Sequence, residues 1–251
     1  AAGEVVAHAA QLAAAPAHTA LRLIAHWIWA LTGAPYPPRR EALQRVWDHA
    51  RTPPTLPVAP FPAAGGVLAT VVRGTGRTAA EVTGPTAAEG TGPTAADGIA
   101  PMGARALVLF REVAACPPRV PLAQAGGSWD ARLALAVQPG PSRRDTTLWL
   151  GALGPDAPAR LDAWQVPHAT CRQDWAAAPR GARAAAPALF HLGGGPLALW
   201  LADAGWAMAP GHGVPVAPIQ AVDLVGRRLA SPVRGAEAAA ETVARSLRSG
   251  A

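Results

Sequence analysis

Tyr36-Pro37-Pro38-Arg39-Arg40 separates two helical patterns and loads two guanidinium groups onto the first turn of the second. Ahead of it, Leu21, Ile24, Ile28 and Leu31 recur at helical spacing and Leu23 and Trp27 widen the apolar face. Thr19 is the candidate cap of that helix and Gly33 its stop. Behind it, Leu43, Val46, Trp47 and Ala50 form another stripe, and Glu41 and Arg45 make an exposed pair four residues apart. The alanine-rich run from Glu4 to Ala15 favours a further helix, which Pro16 ends. Three short helices therefore form a small bundle over residues 1–52.

Arginine at a helix entrance opposes the usual preference. The N-terminus already carries partial positive charge and unpaired N–H groups, so a cation there costs a few tenths of a kcal/mol. An external anion relieves that cost, and phosphate matches both the N–H groups and the arginine forks. The plainer reading is two solvated surface arginines offset by Glu41.

The chain has 251 residues, half of them hydrophobic, which is ample for a buried core and excludes disorder throughout. All 22 basic residues are arginine. Without lysine, a Walker A phosphate loop and Schiff-base or pyridoxal-phosphate chemistry are excluded within the chain. The net charge of +6 favours acidic partners such as RNA. Cys116 and Cys171 are too few for a disulfide framework, and with no signal peptide in view a reducing cytoplasm is expected. The longest apolar runs fall short of spanning a membrane, so no membrane partner is expected. The start at Ala1-Ala2-Gly3, without a methionine, suggests the later part of a longer protein.

Residues 53–103 read as a proline-rich linker followed by an insertion, with Pro53 to Pro62 as an extended connector. The insertion holds three near-copies of an octapeptide starting at Thr75, Thr83 and Thr91, whose small side chains have little to bury. Residues 104–251 read as a mixed β-rich domain. Short strands are expected at Leu107 to Phe110, Leu133 to Val137, Thr147 to Leu150, Leu189 to Leu192, Leu197 to Leu201 and Trp206 to Met208, the last two joined by an Asp203-Ala204-Gly205 turn. Short helices are expected within Leu153 to Asp162 and near Trp175, and a closing helix over Ala236 to Arg248. The fold class is α+β: an N-terminal helical bundle, then a β-rich mixed domain with a C-terminal helix.

Leu21-Arg22 with Tyr36-Pro37-Pro38-Arg39-Arg40, then Arg111-Glu112, then Trp129-Asp130-Ala131-Arg132, form an order that resembles the C-terminal region of alphaproteobacterial tRNA(Ile)-lysidine synthases. That family carries a Tyr-Pro-Pro-Arg stretch in a helical substrate-binding domain, and an Arg-Glu pair and a Trp-Asp-Gly-Arg-Phe motif in the next. This chain departs from the last motif at Ala131, where the family has glycine, and at Leu133, where it has phenylalanine. The resemblance implies a tRNA-binding part of an ATP-dependent carbon–nitrogen ligase that attaches lysine to the wobble cytidine of a minor isoleucine tRNA. It implies that residues 1–52 bind tRNA and that the chemistry belongs to an N-terminal nucleotide-binding domain with a Ser-Gly-Gly-x-Asp-Ser loop, acting in cis or in trans. The chain has no such loop, so no catalytic residue is assigned, and ATP belongs to that other domain.

Arg22, Arg39, Arg40 and Arg45 are the candidate face of a tRNA cradle, with Arg132 as a further RNA contact. Arg111 beside Glu112, and Arg132 beside Asp130, also read as structural ion pairs closing turns. Trp27 and Trp47 fall on core stripes, whereas Trp129 suits either stacking on a base or plugging a sheet. His168 and Cys171 have ligand-like spacing, but no second pair completes a tetrahedral metal site. His191-Leu192-Gly193-Gly194-Gly195 resembles an oxyanion loop without a nucleophile turn and reads more simply as a glycine-rich hairpin. The alternative reading of the whole is a noncatalytic protein-interaction module; an independent hydrolase using His191 or His212 ranks last. Assembly into a homo-oligomer stays open.

Overall fold

The computed structural model of the chain describes residues 3–52, 59–73, 105–122, 127–137, 148–191, 194–201, 204–211 and 219–230. The octapeptide repeat, most of the proline-rich connector and the helix expected over Ala236 to Arg248 lie outside them. Within them the chain is α+β, with N-terminal helices, three antiparallel sheets and a C-terminal helix.

Strand β1 (Val5–His8) leads directly into α1 (Ala9–Ala14), so the helix expected from Glu4 begins late. Val5 and Val6 pair in register with Leu109 and Val108 of β4 (Arg105–Arg111), and ladder hydrogen bonds to β-branched residues override the local alanine propensity. Helix α2 (Ala17–Thr32) starts behind Pro16, which places Thr19 inside the first turn instead of at the cap. Pro16 has no N–H to leave unpaired, and its fixed φ suits the entry. The helix stops as expected at Gly33, whose φ of 62° is left-handed and whose N–H donates to Trp29 O at 2.7 Å. Helix α3 (Arg40–Arg51) buries Leu43, Val46, Trp47 and Ala50, the stripe read from the sequence.

The helices share their core with a sheet. Strands β2 (Phe61–Ala64) and β3 (Val67–Arg73) join β1 and β4 in the order β1-β4-β3-β2. Leu107 and Leu109 of β4 pack with Ile24, Ile28, Leu31, Val46 and Trp47 of the helices. Fully burying each of the isoleucines and leucines contributes about 1.5–3 kcal/mol. The alternate residues of β4, Val108 and Phe110, face a second core with α4 (Thr170–Ala177), α5 (Arg180–Ala184) and one face of a five-stranded sheet. That sheet runs β11 (Gly205–Met208), β10 (Pro196–Leu201), β9 (Pro187–His191), β8 (Leu148–Ala152), β5 (Val120–Pro121). Period-two alternation divides it cleanly: Ala188, Phe190, Leu199 and Ala207 point to the second core, while Leu189, Ala198 and Trp200 point to a third. The third core is shared with β6 (Gly127–Trp129), β7 (Leu133–Val137) and β12 (Ile219–Asp223).

Trp129 is 3 % exposed in this last core, so it plugs the sheets. No helix forms over residues 153–162, where Pro155 and Pro158 interrupt the chain; Pro158 instead offers its carbonyl to the Trp175 Nε1 proton at 2.8 Å. Helix α6 (Leu224–Ala230), which the sequence reading does not include, sends Val225 and Leu229 into the first core beside α2. Among the described residues no helix is long and apolar enough to cross a membrane.

Candidate nucleic-acid interface

The loop from Gly33 to Arg39 roofs a groove of about 380 Å³. Ile28, Trp29 and Thr32 of α2 and Ala42 of α3 form its base, Tyr36 to Arg39 its rim, and Ala63 to Gly65 at the end of β2 its far wall. Local chemistry stiffens the loop at both ends. Thr32 Oγ1 donates to Ile28 O at 2.9 Å and accepts from Ala34 N at 3.1 Å, which ties the chain to the helix as it leaves. Pro35, Pro37 and Pro38 then fix three of the next φ angles. Tyr36 stands between them, 83 % exposed, and with Leu23 it is one of two exposed large hydrophobic residues among those described.

Arg39 is the N-cap of α3 and Arg40 its first residue, so the guanidinium groups stand where the sequence placed them. Neither side chain caps the helix, and both are exposed, as are Arg22 and Arg45. None of the four has an ion-pair partner among the described residues; Glu41 and Arg45 are both exposed without pairing. Arg22, His26 and Trp29 follow one another at helical spacing on α2, and the imidazole of His26 stacks on Trp29 with centroids 5.6 Å apart. Partial burial holds the His26 imidazole below its ordinary pKa.

Arg132 does not join that surface. It is 2 % exposed, and its Nε lies 2.6 Å from Asp130 Oδ2. Arg111, expected beside Glu112, pairs instead with the same carboxylate: Nη2 donates to Oδ1 at 2.8 Å and Nε to Oδ2 at 3.3 Å. Two buried cations thus share one buried anion. Carbonyl oxygens take further donors: Arg111 reaches Gly65 O at 2.6 Å and Ala115 O at 2.9 Å, and Arg132 reaches Ala185 O at 2.8 Å. The carboxylate comes from a tight turn in which Asp130 and Ala131 have φ of 49° and 52°, closed by Arg132 N–H to Trp129 O at 3.0 Å. The alanine at 131 therefore sits where glycine is favoured.

This buried centre holds the walls of the groove. Arg111 grips Gly65, the far wall, while Arg228 of α6 donates to Ala30 O at 3.0 Å and to Ala131 O at 2.6 Å, tying the end of α2 to the same turn. The sequence reading includes the Arg132–Asp130 pair, but it misses Arg228 and the reach of Arg111 to Asp130, because those partners are distant in the chain. Cys116 lies against the centre, with Arg132 Nη2 3.5 Å from its sulfur. Burial pushes its thiol up, Asp130 adds to the shift, and Arg132 and Arg111 oppose it. Cys171 is buried in the second core, and no cluster of metal-ligating side chains occurs among the described residues. Comparison of the chain with protein-family models, with curated proteins and with solved structures finds no match in any of the three.

Proposed function

We propose that this chain is the tRNA-engaging portion of a tRNA(Ile)-lysidine synthase, a cytoplasmic ligase whose ATP-dependent step belongs to a nucleotide-binding domain in cis or in trans. The observation that carries the proposal is the pair Arg39 and Arg40: exposed at the entrance of α3, without carboxylate partners among the described residues, beside an apolar groove with an aromatic rim. Cations there repel the helix dipole, and a phosphate backbone turns that repulsion into attraction. Arg22 and Arg45 extend the exposed positive charge along α2 and α3. RNA recognition draws affinity from such contacts and selectivity from shape and unstacked bases.

Filter binding to tRNA tests the reading. Affinity falls steeply with salt, and Arg39→Ala with Arg40→Ala weakens it about tenfold at low salt and flattens the salt slope by about 2, with the circular-dichroism spectrum unchanged. Binding indifferent to salt and to both substitutions would favour a protein-interaction module instead.

A further inference from the structure

We infer that the groove under Tyr36 receives a single unpaired base of an RNA strand, stacked against Tyr36 or Trp29, with the adjoining phosphates on Arg39 and Arg40. This deepens the tRNA reading and rests on it. Tyr36 presents a flat ring to solvent at 83 % exposure, on a loop whose three prolines lower the ordering cost of binding. The groove volume of about 380 Å³ is near the lower end of the ~300–1,000 Å³ range of small-ligand sites, so it suits one ring system better than a length of strand. Its base is apolar and includes the half-buried indole of Trp29, which offers a second π-face. Exposed Arg39 in the groove lining, with exposed Arg40 next to it in the chain, then calls for an occupant with a flat apolar part and anionic neighbours. A nucleotide within a strand has both, and a base paired in a helix cannot enter.

The test uses the full chain with a single-stranded RNA oligonucleotide carrying one 5-iodouridine, a duplex of equal length, and tRNA. Irradiation is expected to cross-link the single strand to Tyr36 or Trp29, located by mass spectrometry of the peptides. Tyr36→Ala, at an exposed position, and Ala42→Leu, which fills the base of the groove, each weaken single-strand binding about tenfold while duplex binding stays within twofold. Circular dichroism verifies that both variants fold. Cross-links elsewhere, or unchanged single-strand affinity in both folded variants with salt-dependent tRNA binding intact, overturn the groove assignment and leave the tRNA reading standing. Failure of the wild-type chain to bind either RNA overturns both. Concentration-dependent growth in mass by light scattering that Tyr36→Ala abolishes gives the groove to a second copy of the chain and also overturns the assignment.

Discussion

Arg111 clasps Asp130 through two donors, Nη2 to Oδ1 at 2.8 Å and Nε to Oδ2 at 3.3 Å, although the two residues are nineteen apart in the chain. Because Arg132 leans on the same carboxylate, Asp130 supplies the negative charge that binds both cations of the centre on which the far wall of the groove hangs. Removing its charge leaves two guanidinium groups in a site that excludes water. Asp130→Asn preserves the shape of the side chain while it removes the charge and turns one acceptor oxygen into a donor facing a guanidinium: we expect a loss of about 3–5 kcal/mol in urea unfolding. A loss below about 1 kcal/mol would mean that water reaches the centre.

Gly33 and Ala131 meet where α2 ends and the β6–β7 turn begins. A methyl group added to Gly33 would lie 2.8 Å from Ala131 Cβ and 3.1 Å from an Arg228 nitrogen, at a φ of 62° that side chains disfavour. Gly33→Ala is therefore expected to destabilise the fold by about 2 kcal/mol or more. Ala131→Gly has the opposite sign, since it relieves a left-handed alanine costing about 1–2 kcal/mol, which outweighs the smaller entropy that glycine adds to the unfolded chain. A net gain near 0.5–1 kcal/mol should appear as a higher midpoint in the same titration. A lower midpoint would show that the Ala131 methyl packs favourably.

Helices α2 and α3 were readable because their apolar stripes repeat over several turns and a glycine marks the stop at 33. The strands of the later part were readable from alternation and from short apolar runs, and the two faces of β9 and β10 now lie in different cores. Strand β1 was not, because an alanine-rich run reads as helix until Val5 meets Leu109, and that pairing is tertiary information. The sheet beneath the helices was hidden for a similar reason: β2 and β3 adjoin proline-rich and repetitive sequence whose local composition suggests a linker. At the candidate site, the rim was readable from Tyr36 to Arg40 because prolines and arginines announce themselves locally. Its base and supports were not. Ala42, Gly65 and Arg228 come from separate elements, and Arg111 ignores its neighbour Glu112 for a carboxylate that only the fold brings near.

Cys116 gives the centre a pH signature. Its thiol is raised by burial first and by Asp130 next, so the folded state favours the protonated form. A group of this kind contributes stability that is complete below the ordinary thiol range, around pH 8.5, and lost as pH rises through the folded value. Stability is therefore expected to decline on the alkaline side, and Cys116→Ser should flatten that decline. Iodoacetamide at pH 8, followed by peptide mass spectrometry, should label Cys116 more slowly in the folded chain than in urea. Equal rates would show an accessible thiolate.

The arginines of this chain divide by burial, and that division makes opposite demands on stability and binding. Arg45 is exposed on α3 and has no ion-pair partner among the described residues, so Arg45→Ala should leave unfolding within about 0.5 kcal/mol of wild type while lowering the salt slope of tRNA binding by about 1. Arg132 is enclosed by Asp130, the Ala185 carbonyl and the Trp129 ring, whose centroid lies 5.2 Å from its guanidinium carbon. Arg132→Ala should cost about 3 kcal/mol or more of stability, through an orphaned carbonyl, the loss of one of the carboxylate's two cationic partners and lost packing. At temperatures where that variant remains folded its salt slope should match the wild type, because the side chain is buried and is not part of the exposed arginine surface. A changed slope in the folded Arg132→Ala chain would mean that the buried centre opens when RNA binds.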